Sequence, residues 1–307
     1  MLREETAVSV VEGAENPVVS LAGTRLLLTG ATGRVGARFL PPLRAAGADI
    51  RLMIWGAAPV SPQSKATTVV IGDLSDRQTC EQAVKAVDAV VHIASAFQGV
   101  SAQGAYDLNY RATAALARAA VAAGVRRFVQ MSSYLVYQPG LPHPAREDDP
   151  VRPLGTATYP AAKLGAERAV AESADDGLDV CVLRLGFTYG EGDPHLADAF
   201  GWAGTAASAH RLHLVHHADV RQGVLRVLAA GRLAQRVYNL ADDAPVTAAE
   251  LPGYADAFRW PGDTTQWAAL AGDESFQGWL DTAASHRDLD FRPIYPSIRD
   301  AQQAGQI

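Results

Sequence analysis

From Arg25 onward the chain alternates short, almost unbroken apolar runs with longer stretches of mixed polarity. The runs RLLLT (25–29), DIRLMIW (49–55), TTVVI (67–71), DAVVHIA (88–94), RRFVQM (126–131) and DVCVLR (179–184) are β-branched or Leu-rich, and Gly, Asp or Ser bound them. Their length and composition predict strands, and their continuous apolarity predicts that both faces are covered, as in a parallel sheet. Between them the spacing predicts helices near 34–46, 76–86, 104–123 and 158–174, with Gly47 and Gly124 where C-caps belong. This rhythm over residues 25–185 predicts an α/β fold, a Rossmann-type doubly wound parallel sheet.

After Gly186 the rhythm breaks. Strands near 212–216 and 236–240 flank a helix near 218–230, so residues 210–245 are expected to return to the sheet. Residues 186–209 and 246–307 are expected to form a small C-terminal substrate lobe. Thr247 to Glu250 reads as a capping box, with Pro252 shortening the helix that follows. Residues 1–24 form an N-terminal extension: an extra strand, an arm onto a partner, or a loose tail. They carry acids and no apolar core segment, which is unlike a secretory signal.

Composition narrows the function class. Of 307 residues, 48% are hydrophobic and 20% charged, as in an ordinary globule and unlike a disordered chain. Lys plus Arg number 27 against 33 Asp plus Glu, a net −6 that gives no support for nucleic acid or anionic membrane as a partner. No run approaches the ~18 apolar residues of a membrane span. Cys80 and Cys181 show no Cys-x-x-Cys spacing, which disfavours a disulfide scaffold or zinc ribbon and favours two buried, reduced thiols in a cytoplasmic protein.

Gly30-Ala-Thr32-Gly33-Arg34-Val35-Gly36 directly follows the first strand and opens a helix. Gly30 allows a tight turn, Gly33 lets backbone approach a pyrophosphate, and Gly36 permits close helix–sheet packing. A strand–loop–helix context favours dinucleotide binding over a plain βα turn. The second strand ends Ile54-Trp55-Gly56, with neither the acid that favours NAD nor the Arg that favours NADP. Trp55 either stacks on adenine or packs, and Arg34 either meets a 2′-phosphate or is solvated. The missing acid leans the cofactor choice, NAD or NADP, toward NADP.

Tyr159 and Lys163 are four residues apart at a helix start, which puts both on one face. A nearby ammonium favours phenolate, so Lys163 is expected to lower the Tyr159 pKa from about 10 toward working pH. A phenol so tuned exchanges a proton with a carbinol oxygen. Ser133 ends a central strand, where a hydroxyl can hold the reacting carbonyl.

With these pieces in place, the chain resembles the extended branch of the short-chain dehydrogenase/reductase superfamily, the NAD-dependent epimerase/dehydratase family. TGATGRVG (29–36), GDL (72–74), VVHIAS (90–95), the Asn109 helix, MSSYLVY (131–137), YPAAK (159–163), LRLGFTYG (183–190), VHHADV (215–220) and VYNLADDAPVT (237–247) carry the resemblance in family order. It implies Tyr159 as acid/base, Lys163 on Tyr159 and the nicotinamide ribose, and Ser133 as the polarising hydroxyl. It also implies Asp73 and Leu74 at the adenine, Ala94 beside the phosphates or ribose, and a homodimer through the 104–123 and 158–174 helices.

Departures refine the expectation. Sugar-nucleotide dehydratases place Asp-Glu where this chain has Tyr134-Leu135, and many nucleotide-sugar members place a diphosphate-binding Asn where it has Phe187. Leu185 replaces a usual Pro near the carboxamide. Ser133, Tyr134, Phe187 and Trp202 are therefore candidate substrate neighbours, and the expected substrate is an apolar or partly aromatic ketone or alcohol. The favoured function is hydride transfer by an NAD(P)-dependent oxidoreductase. The alternatives are a nucleotide-sugar epimerase, a non-redox isomerase or cyclase, and a cofactor-sensing module. His210, His213, His216 and His217 with Asp219 have spacings of three that do not converge in a strand, so a structural role is favoured and no metal is expected. Arg126-Arg127 and Glu147-Asp148-Asp149 are expected on solvated surface.

Overall fold

The computed structural model describes residues 19–56, 67–96, 99–152, 157–190, 193, 199, 210–257 and 278–307. Its strands are β1 (Arg25–Thr29), β2 (Asp49–Ile54), β3 (Thr67–Ile71), β4 (Ala89–His92), β5 (Arg127–Ser133), β6 (Asp179–Leu185), β7 (Phe187–Tyr189), β8 (Arg211–Leu212), β9 (Leu214–His216), β10 (Val237–Leu240) and β11 (Val246–Thr247). Its helices are α1 (Leu40–Ala45), α2 (Arg77–Val84), α3 (Ala102–Ala122), α4 (Thr158–Ala174), α5 (His217–Ala229), α6 (Ala283–Asp288) and α7 (Ile298–Gln303).

Seven parallel strands make the central sheet, ordered β3-β2-β1-β4-β5-β6-β10. The chain winds outward from β1 in one direction and from β4 in the other. Side chains alternate across the strands, and each face is covered. Leu26 and Leu28 join a core with Leu43 of α1, Val220 and Val224 of α5, and Ala284 of α6. Leu27 joins the opposite core, with Val84 of α2, Leu116 of α3 and Val170 of α4. A third cluster, with Tyr134, Phe187, Tyr189, Leu214, Leu251 and Leu280, sits beyond the carboxyl ends of the central strands. The crevice where β1 and β4 part is where such sheets bind ligands.

The strands follow the sequence pattern closely, and the structure corrects it in five places. The helix expected over 34–46 is a 3₁₀ turn at Gly36–Arg38 followed by the six-residue α1. Pro41 and Pro42 lack N–H donors and are accepted only in a first turn, so the α-helix begins with them. The strand expected over 212–216 splits at His213, whose carbonyl accepts from Phe187 N and whose N–H donates to Gly278 O. β8 then pairs with β11, and β9 with β7.

Arg127 is buried rather than solvated: it pairs with Asp179 and donates to the carbonyls of Val227, Ala230 and Gly231 at the end of α5. Glu147 is half-buried, its carboxylate accepting from Asn239 N at 2.9 Å. The capping box at Thr247 is present, with reciprocal bonds between Thr247 and Glu250, and a 3₁₀ helix (Leu251–Ala257) follows in place of an α-helix. Cys80 and Cys181 are buried free thiols.

The two long helices meet closely because α4 carries Gly165: a Cβ there would lie 2.5 Å from the Tyr106 carbonyl oxygen of α3. Backbone cannot swing aside as a side chain can. Gly165→Ala is therefore expected to lower stability by about 1–3 kcal/mol through overpacking, despite the better helix propensity of Ala. Urea unfolding of both proteins measures the difference.

Candidate active site

The glycine loop closes on itself and on β4. Gly30 has φ +72°, and a Cβ on it would come 2.6 Å from Ala94 N. A Cβ on Gly36 would come 2.0 Å from the Gly30 carbonyl oxygen. No larger residue fits either position, and Gly33 N donates to Gly30 O at 3.0 Å to complete the turn. Thr32, Gly33 and Arg34 are exposed at the loop's outer edge, while Val35 packs against the core. This glycine cradle at the end of β1 suits a dinucleotide diphosphate.

Beside the loop, Thr29 Oγ1 shares a 2.7 Å hydrogen bond with His92 Nδ1 and accepts from Ala94 N at 3.3 Å. Asn109 of α3 holds the next segment, accepting from Ala96 N and donating to Ala96 O. At the sheet's far end, Trp55 follows β2 and is 80% exposed, with its side chain hydrogen-bonded to Asp73 just past β3. Bonds from Ser75, with that from Trp55, hold the Asp73 carboxyl below the usual carboxylate range. Leu74 packs inward, and its carbonyl accepts from Cys80 Sγ.

Ser133, Tyr159 and Lys163 converge at the carboxyl edge of β5. Ser133 caps a short 3₁₀ turn, accepting from Leu135 N, and its hydroxyl hydrogen-bonds with that of Tyr159. Lys163 lies buried one helical turn on, its Nζ donating to Met131 O at 3.1 Å and standing 5.6 Å from the Tyr159 ring centre. The expected lowering of the Tyr159 pKa by Lys163 is not what this site shows. Burial pushes the phenol up to about 12, against the pull of the Ser133 bond. Burial also pushes Lys163 down to about 8, against the pull of Glu167. Desolvation penalises both charged forms here.

Two residues that the motif reading did not single out complete the site. Glu167 lies one turn beyond Lys163, and Arg184 lies on β6. Both are buried and form a two-bond fork: Arg184 Nε to Glu167 Oε1 at 3.1 Å and Nη2 to Oε2 at 2.9 Å. Ser132 Oγ also donates to Glu167. Arg184 stacks on Tyr137 at 4.6 Å and donates to Glu147 O. Tyr137 OH donates to Asn239 Oδ1. The signal was present in the sequence: one acid repeats the Tyr–Lys spacing, and one cation interrupts an apolar strand.

Toward the substrate side the walls are apolar. Tyr134, Leu135 and Phe187 are buried in the third cluster, and burial drives the Tyr134 phenol far above its ordinary range. A small cavity of about 20 Å³ lies against Tyr134, Tyr137, Leu141, His143, Trp279 and Leu280. The Arg211 guanidinium lies 4.5 Å from the Trp279 ring centre. Trp202 lies outside the described residues.

The histidines have structural partners. His216 caps α5 through Ala218 N and donates to Gln306 O, His213 accepts from Leu280 N, and His217 pairs with Asp193. Among the described residues, no group of three or more His, Cys, Asp or Glu could hold a metal ion. No described helix is long and apolar enough to cross a membrane.

Comparison with known proteins agrees with this geometry. The model of the NAD dependent epimerase/dehydratase family matches residues 26–241. A 3-diazoavenalumate denitrifying reductase from a Streptomyces species is 33% identical, over 90% of this chain and 98% of the relative. A 4-hydroxy-2-methyl-3-oxo-4-farnesyl-3,4-dihydroquinoline-1-oxide ketoreductase from Stigmatella aurantiaca is 28% identical, over 72% of this chain and 69% of the relative. Among solved structures, the dTDP-glucose 4,6-dehydratase DesIV of Streptomyces venezuelae, with NAD bound, superposes with a TM-score of 0.68 at 24% identity, covering 91% of this chain and 97% of that one. The chain is an enzyme of the NAD-dependent oxidoreductase type and belongs to the NAD-dependent epimerase/dehydratase family of extended short-chain dehydrogenases/reductases.

Proposed function

We propose that this protein is a reductase or dehydrogenase that moves a hydride between a nicotinamide and a secondary alcohol or ketone. The observation that carries the reading is the hydrogen bond between the Ser133 and Tyr159 hydroxyls, with the Lys163 ammonium one helical turn away. In this reading the amides of the Gly30–Gly36 loop hold the diphosphate, Trp55, Asp73 and Leu74 border the adenosine end, and Ala94 flanks the ribose or phosphates. The bound nicotinamide supplies or takes up the hydride.

Ser133 holds the substrate oxygen. Tyr159, protonated at neutral pH because burial disfavours phenolate, gives its proton to that oxygen as a ketone is reduced. Lys163 then faces the phenolate left behind and stabilises it. In the oxidative direction the same proton returns to Tyr159.

The substrate assigned here is an apolar or partly aromatic carbonyl or alcohol. Phe187 offers no donor to a diphosphate, and Tyr134 and Leu135 offer no acid for expelling water. The ketoreductase named above acts on a farnesyl-bearing quinoline oxide, which supports this class, while the diazoavenalumate of the denitrifying reductase supports only its aromatic part. Residues 186–209 and 246–307, of which 186–190, 193, 199, 246–257 and 278–307 are described, are assigned as the substrate lobe, and 25–185 with 210–245 as the dinucleotide-binding part. The enzyme works as a cytoplasmic homodimer joined through α3 and α4, with the cofactor choice leaning to NADP because no acid ends β2.

Tyr159→Phe is expected to bind cofactor normally and to lose turnover by roughly 10²–10⁴-fold. Normal turnover with normal binding would contradict the mechanism. Since neither an acid nor an Arg ends β2, the preference between NAD and NADP should stay below roughly a thousandfold, about 4 kcal/mol, when both are titrated. In a thermal-shift panel with cofactor present, apolar ketones should raise the melting temperature and UDP- or dTDP-sugars should leave it unchanged. Clear stabilisation by a sugar nucleotide would instead favour the epimerase.

A further inference from the structure

We propose that Glu167 and Arg184 are a positioning pair for the reaction proposed above, on which this inference rests: their buried fork fixes a carboxylate one helical turn from Lys163 and so sets the charge of its amine. Neither touches the reacting atoms. Their effect runs through Lys163.

The geometry allows little else. Lys163 and Glu167 occupy successive turns on one face of α4, the spacing at which opposite charges attract. Glu167 cannot reach water to dissipate its charge, because Arg184 takes both carboxylate oxygens and Ser132 takes one again. Arg184 is held in turn by the Tyr137 ring and the Glu147 carbonyl. One buried anion therefore serves two buried cations, bonded directly to Arg184 and acting on Lys163 through its charge.

The other groups around the amine are neutral. From β4, His92 faces it, but that imidazole is bonded on both nitrogens to the Thr29 and Thr113 hydroxyls, and burial first and Lys163 second keep it uncharged. From β5 comes only the Met131 carbonyl, and from α4 the un-ionised Tyr159. Glu147, beyond Arg184, turns its carboxylate to Asn239 N, and burial raises its pKa.

Charge accounting then gives opposite signs for the two members. Glu167→Gln keeps the shape of the carboxylate but leaves Arg184 and Lys163 as like charges, so Lys163 should release its proton at lower pH. Arg184→Met keeps the unbranched stem and leaves Glu167 with Lys163 as its remaining cation, so the amine should stay charged to higher pH. The double variant removes both charges, and replacing a buried pair by neutral groups is often tolerated. Since Glu167 shares α4 with Lys163 one turn on, while Arg184 is bonded to that carboxylate from β6, the midpoint of the double variant should fall below native and above Glu167→Gln.

The sequence makes the measurement direct, because its only lysines are Lys65, Lys85 and Lys163. With ¹³Cε-lysine, NMR of the full chain without ligand should show one signal per lysine, assigned by Lys65→Arg and Lys85→Arg. The native Lys163 midpoint is expected near 8. It should fall by about one pH unit in Glu167→Gln and rise in Arg184→Met, with the double variant placed as above, the direction following from removal of opposite or like charge. Identical midpoints, or any other order, overturn the proposal. If a single variant fails to fold, the native-to-double difference decides.

The pH profile of kcat/KM separates this inference from the reading beneath it. A falling limb that tracks the Lys163 midpoint through the series supports both. Midpoints that shift while the limb stays fixed overturn the assigned acid–base chemistry and leave the hold on Lys163 intact.

Discussion

A carboxylate and a guanidinium buried together each lose several kcal/mol of hydration, which only well-formed pairing offsets. Glu167 and Arg184 meet that demand with two parallel bonds. That requirement fixes where three elements stand. α4 must bring Glu167 to β6, β5 must end with Ser132 against the same carboxylate, and Tyr137 must lie flat on the guanidinium. Once they do, Ser133 follows Ser132 onto the edge of the sheet, and Tyr159 and Lys163 arrive on the helix face already turned toward it. The reach extends through Tyr137 and Asn239 to Ala145 and Asp281, so the loop beside the Tyr134–Trp279 cavity hangs from the same network.

Much of the fold was legible because burial on both faces leaves a strong mark. Runs such as RLLLT and DVCVLR allow no other reading when separated by helical spacing, and β1, β3 and α4 fall where the pattern places them. What escaped depends on partners distant in sequence. Arg127 looks like a surface cation until the carbonyls at the end of α5, a hundred residues on, are brought beside it. Glu147 looks like part of an acidic tract until β10 presents the Asn239 amide. The truncated first helix was visible in principle in Pro41 and Pro42, but the glycine pattern before it outweighed them.

The site was legible in its residues and not in its electrostatics. Spacing alone brings Tyr159 and Lys163 together, and a salt-bridge intuition then lowers the phenol's pKa. The structure reverses that because both groups are dry, and desolvation penalises each charged form. Around them, Tyr134, Leu135 and Phe187 extend the apolar surface. In the function proposed above, the polar chemistry falls to Ser133, Tyr159 and Lys163, and the surrounding wall would distinguish substrates by shape and apolarity.

The two thiols give the molecule a built-in reporter of its own breathing. Cys80 sits on the buried face of α2 and Cys181 in the middle of β6, on opposite faces of the sheet, both fully covered. Burial raises both thiols, Cys80 to about 11, so the thiolate that reacts with alkylating agents or peroxide is scarce as well as hidden. Modification of either sulfur in the native protein must wait for the local structure to open. The rate at which each cysteine is alkylated therefore times the opening of its own half of the sandwich, and the ratio of the two rates tells whether the halves come apart together or one at a time.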